Sequence, residues 1–95
     1  MKKVAVLIRD IEQQYEGLQL SLGVLLDGME STMVVLNHEI ENMDDAYCDN
    51  MDFLDEMKGE RITNNMANAE KYGFQHATKK EIADKLRSVD LIIPF

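Results

Sequence analysis

Residues Lys3–Ile8 read KVAVLI, and the fold turns on how this run is understood. It is apolar without interruption and rich in β-branched residues. Nothing in it alternates with period two. A strand with one wet face alternates; a strand covered on both faces does not, and the latter belongs to a parallel sheet. The run is five apolar residues long before Arg9 and Asp10 end it, too short for a secretory signal or a membrane span. It therefore reads as the first strand of a cytoplasmic α/β domain.

Outward from it the chain alternates. From Ile11, apolar residues at Ile11, Tyr15, Leu18, Leu22, Leu25 and Met29 fall in steps of four and three, which predicts a helix with that stripe turned inward. Asp10 suits its N-cap, and Glu12 suits the positive end of its dipole. Thr32–Asn37 (TMVVLN) is a second strand of the buried type. Residues 40–58 form an amphipathic helix with Met43, Tyr47, Met51, Leu54 and Met57 on one stripe and Asp45, Asp49, Asp52 and Glu56 on another. The first stripe reads as core, with a docking surface as the alternative; the second reads as a solvated face. Glu60–Thr63 (ERIT) is a short third strand. A helix follows, with Asn64 or Asn65 as N-cap and Gly73 as its stop. Thr78–Glu81 (TKKE) is a capping box opening another short helix. Val89–Phe95 (VDLIIPF) closes the chain as a last buried strand, with Pro94 admissible at its end or on an edge. The order predicts one domain over residues 1–95: a three-layer α/β/α fold with a small parallel sheet of about four strands.

The ninety-five residues carry a net charge of −8. Residues 10–57 hold 13 of the 18 acids and no Lys or Arg; the remainder holds ten bases against five acids. One continuous acidic flank repels phosphate, so neither nucleic acid nor an anionic membrane is an expected partner. The basic remainder suits a small anion or the acidic flank of a neighbouring subunit. On the first helix Leu20 and Val24, flanked by Gly17 and Gly28, compose an apolar back face. It reads equally as chance exposure and as a subunit contact in which glycines permit close approach.

In a parallel sheet the strand C-termini share one edge, and ligands bind there. The residues brought to that edge are Arg9 and Asp10, then Asn37, His38 and Glu39, then Asn64 and Asn65. No glycine-rich phosphate loop follows the first strand, and no serine stands on a nucleophile elbow. The spacing of His38, His76 and the acids asks for no metal, and no cofactor is expected. His38 beside Glu39 reads as a loop histidine rather than an acid–base pair. Asn64 and Asn65 read as a helix cap and turn, or as amides that hold a small anion or polar ligand at a helix start with help from Arg9. The one cysteine, Cys48, excludes an internal disulfide and reads as inert rather than nucleophilic.

The stretches KVAVLIRDIEQQYEGLQLSLGVLL, VVLNHE, ITNNMANAEKYGF and EIADKLRSVDLIIPF together resemble the DsrE/DsrF-like family, which includes TusD-type sulfur-relay subunits. The likeness runs over nearly the whole chain; its most telling parts are the third strand with its Gly-terminated helix and the closing VDLIIPF. It implies a compact α/β/α fold with a parallel sheet, and assembly as a homo-oligomer: a dimer, trimer or hexamer. Active members carry a persulfide on a cysteine in the turn after the strand matching ERIT. Asn64 or Asn65 stands at that place, and an amide cannot become a persulfide. The resemblance therefore implies a binding, regulatory or assembly subunit of a sulfur or redox pathway, not catalytic by itself. The alternative is an active sulfurtransferase or persulfide carrier that uses Cys48.

Overall fold

The computed structural model describes residues 2–41 and 44–94. Its strands are β1 (Lys3–Ile8), β2 (Glu30–Val35), β3 (Glu60–Thr63), β4 (Gln75–His76) and β5 (Leu91–Pro94). Its helices are α1 (Gln14–Leu26), α2 (Asp45–Glu56), α3 (Met66–Tyr72) and α4 (Lys79–Arg87), and a 3-10 turn (Ile11–Gln13) leads into α1. The sheet is five-stranded in the order β4-β3-β2-β1-β5, and every pairing is parallel. The expected architecture is present with one strand more than the four anticipated. The addition is β4, two polar residues paired to Ile62 and Thr63, which carries no apolar signature to read.

Alternate residues of the strands serve two cores. Val6, Ile8, Met33 and Val35 face one way and pack with Leu18, Tyr47, Met51 and Leu54 of α1 and α2. Val34 and Ile62 face the other way and pack with Ile82 of α4 and with Ala77. The continuous apolar runs of β1 and β2 are thus explained: both faces are covered. Met43, placed on the α2 stripe by its spacing, lies outside the described residues; Tyr47, Met51 and Leu54 are buried as expected.

Two sequence expectations are overturned. The inward surface of α1 is Gln14, Gly17, Leu18, Ser21 and Val24, while Tyr15 is 37% exposed. Gly17 lies directly on Ile8: a Cβ there would stand 2.4 Å from the isoleucine side chain. Small residues let α1 settle close to the sheet, and that turns the helix so that of its predicted stripe Leu18 alone is fully buried. Leu22 and Leu25 then pack from the side as partly buried residues. The apolar back face is consequently not an outer surface. Gly17 and Val24 are buried, Leu20 packs against the core, and Gly28 lies in the turn after the helix at φ +83°. The second correction concerns β5. It is an edge strand with Leu91 47% and Ile92 41% exposed, one on each face of the sheet. The chain returns to that edge from β4 at the other, and neither core cluster includes a β5 residue.

Candidate functional site

The strand ends are level. Ile8 pairs with Val35, Val35 with Thr63, and Thr63 with His76. Arg9–Asp10, Asn37–His38 and Asn64–Asn65 therefore share one rim, as the sequence predicts. What they do there is mostly hold one another.

Asn64 and Asn37 form a reciprocal amide pair. The Asn37 N–H donates to Asn64 Oδ1 at 2.7 Å, and Asn64 Nδ2 donates to Asn37 Oδ1 at 3.0 Å. Asn37 sits at φ 72°, a left-handed conformation that asparagine tolerates better than most residues. Asn65 is the N-cap of α3: its Oδ1 accepts from the N–H groups of Ala67 at 2.9 Å and Asn68 at 3.3 Å. Of the two readings of this turn, the helix cap is the one the geometry displays. The amides that would face an anion are capped from within, and α3 is seven residues long. Asp10 is likewise engaged; its Oδ1 accepts from the Glu12 N–H at 3.0 Å and caps the entry to α1. Arg9 is exposed at the end of β1.

The segment 36–41 crosses the rim as a strap. Ile40 is buried among the α1–α2 core residues. Its N–H donates to Asn68 Oδ1 at 2.8 Å, and its carbonyl accepts from the Tyr72 hydroxyl at 3.4 Å. Asn68 Nδ2 donates to the His38 carbonyl at 2.9 Å and to Thr63 Oγ1 at 3.3 Å. Thr63 in turn donates to the Val35 carbonyl at 2.9 Å. Gln14 Nε2 donates to the Glu41 carbonyl, and Lys71 pairs with Glu39 at 2.7 Å. His38 and Glu39 do not act as a pair. The imidazole Nδ1 lies 3.1 Å from the Leu36 carbonyl, and the buried Nε2 has no partner among the described residues, while Glu39 engages Lys71.

Sequence reasoning missed Asn68 and Arg61. Asn68 follows the cap by three residues, and its strap partners lie 28 and 30 residues away. Arg61 is the base that enters the α1–α2 side. Its Nε and Nη2 hold both Asp55 oxygens at 2.8 and 2.6 Å, its Nη1 donates to the Tyr72 carbonyl at 2.5 Å, and its guanidinium lies 4.8 Å from the Phe74 ring centre. The signal available was a lone arginine in a strand next to a helix rich in acids.

Cys48 is exposed on the outer side of α2. Asp44 caps that helix and Asp45 begins it. Among the described residues no cluster of His, Cys, Asp and Glu is fit to hold a metal ion, and no helix is long and apolar enough to cross a membrane. Two concavities lie at the opposite, N-terminal edge of the sheet. The larger, about 310 Å³, is lined by Leu25, Gly28, Met29, Glu30, Met57 and Lys58. The smaller, about 50 Å³, is lined by Lys3, Glu30, Thr32, Glu60, Lys85 and Val89. No protein-family model matches the chain, and no curated protein matches it.

Proposed function

We propose that this chain is a small DsrE-like cytoplasmic protein without the family's reactive cysteine, serving as a binding, regulatory or assembly subunit in sulfur or redox metabolism. The observation that carries the reading is the state of the turn after β3. In the family that turn presents a thiol; here Asn64 braces the strap and Asn65 caps α3, so both side chains have structural work. No group on that turn can accept or deliver a sulfur atom. A subunit of this kind contributes shape and surface to an assembly and leaves the chemistry to a partner.

The exposure of Cys48 gives the second reading its footing. In it the Cys48 thiolate attacks the sulfane sulfur of a donor persulfide. A new S–S bond forms on Cys48, and the donor leaves as its thiolate. One experiment separates the two. The protein is incubated with a persulfide donor and then with an alkylating label, and the intact mass is read beside that of Cys48→Ser. The first reading expects no retained sulfur and no onward transfer to an acceptor thiol. A Cys48-dependent gain of one sulfur that an acceptor then removes would replace it with the second.

A further inference from the structure

The larger of the two concavities at the N-terminal edge of the sheet, about 310 Å³, is formed where two helices end. Leu25 belongs to the last turn of α1, Gly28 and Met29 to the turn that leaves it, and Met57 and Lys58 follow α2 directly. The two exits touch. A Cβ on Gly59 would stand 2.8 Å from Leu54 Cγ and 3.0 Å from Leu25 Cδ1, so a bare glycine is what lets them close up. Glu30, the first residue of β2, completes the wall. Three partly buried apolar side chains, Leu25, Met29 and Met57, give the cavity its apolar body. Its volume stands at the small end of the roughly 300–1,000 Å³ usual for ligand pockets.

The charge at this place has a sign. An α-helix carries the equivalent of about half a negative charge at its C-terminus. Two such ends border one cavity here, and neither helix has a base in its last turn to answer them. Glu30 adds a full charge of the same sign. Lys58 is the one base on the wall, and it is exposed. Among the described residues neither Glu30 nor Lys58 is held in an ion pair, so both charges are open to whatever enters. The negative contributions outweigh the positive one.

We propose that this cavity binds a compact organic ammonium ion, an amine that carries a small hydrocarbon or aromatic body. The ammonium group answers Glu30 and the two helix ends. The body lies on Leu25, Met29 and Met57, where unbranched methionine side chains mould themselves to its shape. A carboxylate would meet Glu30 and both helix ends as like charges, with Lys58 alone in its favour. A bare metal cation would leave the three apolar side chains without a role. The cavity lies at the opposite edge of the sheet from the turn after β3, so the inference goes beyond the sulfur-related reading, and either can fail without the other.

The probes are phenethylammonium, its neutral counterpart phenethyl alcohol, and the anion hydrocinnamate. Each is titrated into the intact chain with its methionine methyl groups labelled for NMR. The expected result is saturable movement of the Met29 and Met57 methyls by the ammonium, in the millimolar range that suits so few atoms. Met66, exposed at the start of α3, should stay unmoved. The carboxylate should bind roughly tenfold more weakly, with the alcohol in between, and molar salt should narrow the gap. Glu30→Gln should weaken the ammonium several-fold, and Lys58→Gln should tighten it. Equal binding of the three probes overturns the proposal, because apolar contact alone would explain it. A preference for the carboxylate overturns it in favour of an anion at Lys58. Movement that fails to saturate, or that includes Met66 equally, also overturns it and assigns the effect to the general attraction of an acidic protein for cations. If Glu30→Gln fails to fold, the ranking of the three probes on the wild type still decides.

Discussion

Asn68 has no exposed surface, yet its side chain contacts three other groups: the Ile40 N–H, the His38 carbonyl and the Thr63 hydroxyl. Its removal would leave two backbone groups of the strap without their partner in a dry place, and a buried unsatisfied group costs about 1–3 kcal/mol. Asn68→Ala is therefore expected to destabilise by about 2–3 kcal/mol in urea unfolding, with faster amide exchange at Ile40. Asn64→Ala, which opens an exposed amide pair, should cost under about 1 kcal/mol. Equal effects at the two sites would contradict this ranking. The sequence hid the difference, because an asparagine in a first helical turn looks like surface when its partners are distant in the chain. Tyr47 poses the opposite case. It is 2% exposed and its hydroxyl has no partner among the described residues. Burial pushes the phenol above its ordinary value of 10.0, partly offset by the Arg61 charge. A group whose folded pKa is raised contributes stability that is complete below the unfolded value and lost above it. Stability should thus fall as pH rises past about 10, by up to about 1.4 kcal/mol per unit, because the unfolded chain ionises first. Tyr47→Phe should flatten that alkaline limb and be near neutral in effect at pH 7. Urea midpoints across the alkaline range for both proteins check it; parallel slopes would refute the assignment.

Between residue and fold stand the element ends, where the sequence was partly legible. Asp10, Asn65, Thr78 with Glu81, and Gly73 all act as the stops and starts their residue types suggest. The end of α2 does not follow the same rule. The left-handed position there is taken by Lys58 at φ 65°, not by the neighbouring Gly59. Gly59 has another duty: a Cβ on it would stand 2.8 Å from Leu54 Cγ and 3.0 Å from Leu25 Cδ1. Close packing claims the glycine and leaves a lysine in the strained conformation. Lys58→Gly should then stabilise by about 0.5–1 kcal/mol, and Gly59→Ala should destabilise, both read from thermal and urea unfolding. A loss of stability in Lys58→Gly would mean the lysine side chain matters more than its backbone. Arg61 joins three elements, with α2 held through Asp55, α3 through the Tyr72 carbonyl and the next segment through Phe74. Its side chain is 11% exposed while Asp55 is 45% exposed, so the carbonyl and ring contacts count for more than the ion pair. Periodicity cannot reveal such a hub. Nor could it orient α1, whose apolar residues surround the helix; the decision fell to the small residues Gly17 and Ser21 and how closely they let it approach β1.

At the scale of the molecule, the parallel sheet and its common rim followed from unbroken apolar strands and short connections, because few topologies accommodate both. The strand order and the uncovered β5 edge did not, since sequence carries no record of which strands end up neighbours. Charge is the one molecular property readable in full beforehand, and the fold makes it lopsided. Asp45, Asp49, Asp52 and Glu56 line the outer side of α2, and no ion pair to any of them occurs among the described residues. Asp45 and Asp49, and Asp52 and Glu56, stand four apart, the spacing at which like charges on a helix repel by roughly 0.2–0.5 kcal/mol. No base lies in the last turn to answer the helix dipole. Asp49→Lys removes repulsion toward Asp45 and Asp52 and replaces each with attraction, in the favourable order of acid before base for Asp45. It should stabilise by about 1 kcal/mol at low ionic strength. Because every group involved is exposed, molar salt should erase most of that gain while raising the wild-type midpoint. Thermal unfolding of both proteins at low and high sodium chloride measures the two effects together. A gain that ignored salt would assign the change to helix propensity and not to the acidic flank, and a wild type insensitive to salt would show that the flank does not strain the fold.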